Sequence, residues 1–152
     1  MIFVLSAIPP HLQEQVLRSI VACLPPPPPP SSSEPSDEDH ASPSGTILFR
    51  DYAHGDMAQT RFDAKNSTLP SYHEPSLLSP SLPYYRRGTD NTLAYFFKKE
   101  ELEALAHKCG LQGKVEVKHR VAENRKNGKI LERIFLQARW TLKPQPSPES
   151  ES

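Results

Sequence analysis

The 152-residue chain has only two cysteines, Cys23 and Cys109, and they stand at no CxxC spacing. That argues against a disulfide framework and a thiolate metal site, and the pair reads as small buried thiols in a reducing compartment. Its six histidines never fall at a ligand spacing such as HExxH, so no metal site is expected. The opening run Met1 to Ala7 carries no basic residue and is too short to cross a membrane, which argues against a signal peptide and an anchor. A buried strand in a cytoplasmic or nuclear protein is the reading that remains.

Apolar residues are almost missing from residues 24–45, which hold a six-proline run, serines and the acids Glu34, Asp37, Glu38 and Asp39. Such composition predicts disorder, and polyproline also fits SH3 or WW recognition. Residues 63–83 are again rich in serine and proline and read as a long mobile loop; residues 144–152 read as a disordered tail. What remains is one partial domain over 1–143, with about 120 residues to pack, a marginal core.

Net charge is absent as well, but the zero conceals an asymmetry: Tyr85 to Lys143 carries 14 lysines and arginines against 7 acids. A basic body with acidic appendages suits a polyanion such as nucleic acid.

The chain supplies seven apolar or aromatic stretches in order. Ile2 to Leu5 is a continuous apolar run, expected as a parallel strand covered on both faces. Leu12, Val16, Leu17, Ile20, Val21 and Leu24 recur at helical spacing after Pro9 and Pro10, which suit a helix start. Ile47-Leu48-Phe49 is a second buried strand, running abruptly into Arg50, Asp51 and Tyr52. Leu93 to Phe97 precedes a helix striped by Leu102, Leu105, Ala106 and Cys109 and ended by Gly110. Val115, Val117, His119 and Val121 alternate, Asn127-Gly128 signals a hairpin, and Ile134, Leu136, Ala138, Trp140 and Leu142 alternate on the return. Tyr95, Phe96, Phe97 and Trp140 are expected in the core.

Met1 to Ala7, Leu48-Phe49-Arg50-Asp51-Tyr52, Arg61-Phe62, Arg87-Gly88 with Tyr95-Phe96-Phe97, Asn124-Arg125-Lys126 and Arg133 to Gln137 together resemble the C-terminal half of the tRNA 3-methylcytidine methyltransferases. The resemblance implies an α/β, Rossmann-like class I fold with strands four to seven at 2–6, 46–50, 114–121 and 130–142, the seventh antiparallel and slotted between the fifth and sixth. It implies S-adenosylmethionine as cofactor and tRNA as partner, with an aminoacyl-tRNA synthetase as a further candidate. Five features depart from the family pattern: the glycine-rich cofactor loop and the acidic residue after the second strand have no counterpart, a proline-serine insertion replaces a short turn, the loop at 63–84 is longer, and Asp90-Asn91-Thr92 stands for Asp-Gly-Thr. These make a fragment, inactive on its own, the expectation, with a non-catalytic RNA-binding or adaptor module as the alternative.

The implied reaction attacks a sulfonium methyl with cytosine N3, whose lone pair is free, so positioning and electrostatics dominate. The base becomes cationic, and Asp51, flanked by Arg50 and Tyr52, is the candidate carboxylate to stabilise it; a surface ion pair with Arg50 is the alternative. Ser6 and Ala7, at the end of the first strand, are candidates to lie beside base and cofactor, or merely form the turn before Pro9. Tyr52 and Phe62 are candidates for base stacking, with core packing the alternative for Phe62. Arg61, Arg87, Arg125, Lys126 and Lys129 are candidate phosphate contacts, or a solvated face.

Overall fold

A computed structural model describes residues 1–26, 45–65, 68–69, 84–87, 90–125 and 127–143. The expectations of disorder at 24–45, 63–83 and 144–152 fall largely outside these residues.

The main sheet is antiparallel. Strand β1 (Thr46–Tyr52) pairs with the terminal strand β7 (Lys129–Leu142), with Ile47 opposite Trp140 and Asp51 opposite Leu136. On its other side β7 takes β6 (Val115–Asn124) and, further along, the two-residue β5 (Leu111–Gln112). The terminal strand thus lies between the strands expected on either side of it. The Asn127-Gly128 turn closes the hairpin as its composition predicts: Gly128 adopts φ +64° and donates its N–H to the Asn124 carbonyl at 2.8 Å, a conformation glycine adopts without strain. Gly113, between β5 and β6, sits at φ +140°, and a Cβ there would come within 2.2 Å of the Arg139 carbonyl oxygen. The alternation then sorts the side chains by face.

One face carries Ile47, Phe49, Ala138, Trp140, Leu136 and Val115, all buried against α1 (Pro10–Ala22) and α3 (Lys99–Lys108). Leu17 of α1 and Leu102 and Ala106 of α3 close that core, where the Trp140 and Phe49 rings pack tilted at 33° with centroids 4.8 Å apart. The expected core positions of Tyr95, Phe96, Phe97 and Trp140 are all buried. The opposite face exposes Leu48 (64%), with Glu116, Lys118, Arg120, Gln137 and Arg139. A smaller antiparallel sheet joins β2 (Thr68–Leu69), β3 (Tyr84–Arg86) and β4 (Leu93–Ala94).

Several expectations are corrected. Met1 to Leu5 is not a strand covered on both faces: Ile2 forms a single parallel bridge to Arg50 and is 61% exposed. The extended course ends there because Phe3 takes φ +52° and Leu5 is drawn into the helix-side core, opening a 3-10 turn at Leu5–Ala7. Cys23 is exposed, because it caps α1 beyond the packed face; only Cys109 is buried. Residues 57–64, partly assigned to a loop, form helix α2 (Met57–Ala64), capped by Asp56. Val117 and Val121 share the face of Val115, yet Val121 is 71% exposed, since it lies in the stretch that pairs with the hairpin's far arm.

Candidate nucleic-acid interface

Consecutive strand residues point to opposite faces, and this separates the three residues that end β1. Asp51 enters the helix-side core and is fully buried, its carboxylate accepting the Ser6 N–H at 3.0 Å and the Tyr52 N–H at 2.9 Å. It makes no ion pair with Arg50. Burial pushes the Asp51 carboxyl above its ordinary value, opposed by the hydrogen bonds from Ser6 and Tyr52. The structure brings Ser6, in the 3-10 turn, and Asp51, near the end of β1, together. Ala7 is exposed and its N–H donates to Val4.

A raised folded-state pKa has a defined consequence. The contribution of Asp51 to stability is full below the unfolded value and is lost as pH rises through the folded one. We expect the stability gap between wild type and Asp51→Asn to narrow as pH rises from 3.8 to neutrality. Urea titrations of both proteins across that range check it; a gap that widens with pH contradicts the burial argument.

Arg50 and Tyr52 point the other way, onto the open face. There the Arg50 guanidinium lies over the Phe135 ring at 4.5 Å, and Arg133 lies 5.3 Å from both the Phe135 and Tyr52 rings. Arg87 sits 5.4 Å from the Tyr52 ring and donates to its hydroxyl at 3.1 Å. Phe3 stacks on Tyr52 with centroids 4.8 Å apart and planes 24° apart. The result is an aromatic platform with three arginines around it. Of these, only Arg133 has a carboxylate partner among the described residues: its Nε donates to both Asp56 oxygens at 3.1 and 3.0 Å. Asp56 also accepts the Ile134 N–H at 2.7 Å and, as the α2 cap, the Ala58 N–H at 2.8 Å.

The other expected contacts disperse. Phe62 is half-buried, stacked on Tyr85 at 5.3 Å beside Phe96, so it packs rather than standing free. Arg61 is exposed one residue before it, with its Nη2 near the Met57 sulfur at 3.7 Å. Arg125 and Lys129 are exposed on the hairpin turn and Lys126 lies outside the described residues. Lys118 and Arg120 are exposed on the open face, with Lys118 paired to Glu116 at 2.5 Å.

Arg133, Phe135, Phe3 and Asp56 were missing from the sequence candidates. The alternation of β7 held the signal for two of them, because Ile134 and Leu136 facing inward put Arg133 and Phe135 outward. Asp56 with Gln59 three residues later carries the signature of a helix N-terminus. Among the described residues no cluster of histidine, cysteine and acids can hold a metal, and no helix is long and apolar enough to cross a membrane.

No family model matches the chain. Individual relatives do: it is 32% identical over 141 residues to the tRNA N(3)-methylcytidine methyltransferase Mettl2 of Drosophila melanogaster, covering 92% of this chain and 34% of that protein. To the tRNA N(3)-cytidine methyltransferase METTL6 of Mus musculus it is 30% identical, covering 100% of this chain and 44% of the relative. To the tRNA N(3)-methylcytidine methyltransferase of Schizosaccharomyces pombe it is 29% identical, covering 91% and 46%. Over most of its length the chain is similar to curated tRNA N(3)-cytidine methyltransferases. It spans between about a third and under half the length of these curated relatives. The segment Leu48 to Tyr52 divides its side chains between a buried turn support, Asp51, and a half-buried arginine-aromatic cluster on the other face, where Arg50 and Tyr52 meet the buried Phe135 ring.

Proposed function

We propose that this chain is the acceptor-binding part of a tRNA N(3)-cytidine methyltransferase, corresponding to strands four to seven of a class I methyltransferase sheet and inactive on its own. The observation that carries the RNA-binding half of this reading is the open-face cluster of Arg50, Arg87 and Arg133 on the rings of Tyr52 and Phe135. Guanidinium planes and aromatic faces are what unstacked loop bases meet, and arginines without carboxylate partners are free to take phosphates. Arg50, Arg87 and Tyr52 are assigned to contact the RNA; Arg61, Arg125, Lys126 and Lys129 are candidates for separate phosphate contacts.

Asp51 acts as a positioning residue in this reading. Buried behind the strand, it holds the Ser6 turn and the Tyr52 amide instead of touching the base. Transfer to cytosine N3 needs no prior deprotonation, so a rigid acceptor site is what this part of the enzyme would supply. The methyl donor of the reading is S-adenosylmethionine. The described residues do not fit it on their own: the Ser6 N–H is engaged by Asp51 and the Ala7 N–H by Val4, so neither candidate offers a free backbone donor. No step is therefore derived through the cofactor. Engagement of a synthetase and action in the cytoplasm belong to the same reading.

Anticodon stem-loop RNA tests it. Arg50→Ala and Arg87→Ala are each expected to weaken binding by about tenfold and to lower the salt dependence by about one phosphate contact. Wild-type affinity in both variants overturns the interface. In the same tubes, S-adenosylmethionine should yield no 3-methylcytidine; turnover overturns the assignment as inactive.

A further inference from the structure

Phe3 is held in an unusual way. Its backbone adopts φ +52°, a left-handed conformation unfavourable for a bulky side chain,. Its N–H is nonetheless fixed to the Arg50 carbonyl at 2.9 Å, so the ring is delivered onto the sheet face instead of continuing an extended strand. There it lies nearly parallel to Tyr52 at 4.8 Å and tilted at 58° against Phe135 at 5.6 Å, while remaining 39% exposed. The core packing of the chain does not require this: Phe3 lies outside both buried clusters.

The groups around that ring are not those an apolar side chain needs. Arg50 lies over Phe135 and Arg87 beside Tyr52, the two rings that Phe3 contacts, and the Arg50 Nε is buried with no hydrogen-bond acceptor among the described residues. A phenyl ring offers none. A planar ring carrying oxygen and nitrogen acceptors and joined to a phosphate would stack on Tyr52 and supply them. That combination describes a nucleotide of an unpaired strand, for which aromatic stacking and guanidinium contacts are the sequence-tolerant binding mode.

Resting on the RNA-interface reading above, we propose that Phe3 is a displaceable stand-in for an unpaired nucleobase. The Tyr52–Phe135 platform takes that base when Phe3 swings away, with Arg50 and Arg87 meeting its polar edge and phosphate. Stacking is exchanged for stacking, and the strained Phe3 backbone is released in the exchange, so occupation of the free platform and binding compete directly.

A short single-stranded oligocytidylate is the probe, titrated into wild type, Phe3→Ala and Phe3→Leu, with thermal melts confirming that each variant is folded. Removing the flat ring should tighten binding by about three- to tenfold, the range of one aromatic pair, and Phe3→Leu should shift it in the same direction. A 5-iodocytidine form of the oligonucleotide should photo-crosslink to Tyr52 or Phe135, and more so in Phe3→Ala. Wild-type binding that Phe3→Ala leaves unchanged or weakens overturns the displacement and leaves the interface standing. Tighter binding with crosslinks that map away from Tyr52 and Phe135 overturns it as well. Failure of every form to bind both the oligonucleotide and the stem-loop overturns the interface itself.

Discussion

Asp56→Ala should destabilise the protein by about 3–5 kcal/mol, a large part of the roughly 5–15 kcal/mol that holds a typical domain together. The side chain is 0% exposed and serves three groups at once: the Arg133 guanidinium, the Ile134 N–H and the Ala58 N–H. Alanine would leave Arg133, itself only 28% exposed, facing a vacated pocket, and would strip α2 of its cap. Loss of a cap by itself accounts for about 1 kcal/mol; the remainder comes from a desolvated arginine and a buried amide without acceptors. Asp56→Asn separates these effects, since asparagine caps well but carries no charge, and its loss should fall clearly between wild type and alanine. Guanidinium titrations of Asp56→Ala, Arg133→Ala and the double variant provide the measurement. A loss below about 1 kcal/mol, or strict additivity of the two single changes, would contradict the coupled network. Because Arg133 lies over the Tyr52 and Phe135 rings, the same network fixes the platform from below.

The second large effect is expected at Trp140. It is fully buried, packed against the Phe49 ring and paired across the sheet with Ile47. Truncation to alanine removes the largest side chain of the helix-side core, and such changes cost about 3–5 kcal/mol because the walls relax only in part. Trp140→Phe should be much milder. It leaves a smaller void, and it also removes the indole N–H, which is buried without a hydrogen-bond acceptor among the described residues; a buried donor left unpaired costs about 1–3 kcal/mol. Phenylalanine should therefore recover most of the stability lost by alanine, and a heat-denaturation series of the two variants shows whether it does. Equal losses in both would mean that the indole makes a contribution its burial does not account for.

The elements that local pattern predicts well are those whose signals lie within a few residues. The Asn127-Gly128 turn needs a positive φ at glycine, the alternation beside it has a period of two, and the stripe Leu102, Leu105, Ala106 and Cys109 ends at Gly110, also at positive φ. Helix α1 follows its apolar spacing from the prolines onward. The errors have one cause in common. An apolar run such as Ile2 to Leu5 satisfies the composition of a covered strand, but coverage depends on what lies across it, and here Leu5 alone reaches the core. Cys23 satisfies the apolar period of α1 but lies past its packed end.

The candidate site divides in the same way. That Arg50, Asp51 and Tyr52 end a strand and that Arg87 and Tyr52 belong to one functional region could be read from residue order and family resemblance. Which face each side chain takes could not, because it depends on the register of β1 against β7. One residue of slip would exchange the two faces. In the observed register Asp51 is sealed beneath the Ser6 turn, while Arg50 lies over Phe135 from a strand some eighty residues later. The anchoring of Arg133 by Asp56 spans 77 residues of sequence and leaves no local periodic trace.

By itself, then, the sequence determined the order of the long main-sheet strands and of helices α1 and α3, the hairpin and the basic character of the C-terminal half, all properties of short-range pattern and composition. The tertiary structure alone decided that the end of β1 divides its side chains, with Asp51 buried beneath the Ser6 turn and Tyr52 half-buried among arginines on the other face, because only cross-strand register and long-range packing assign a side chain to a face.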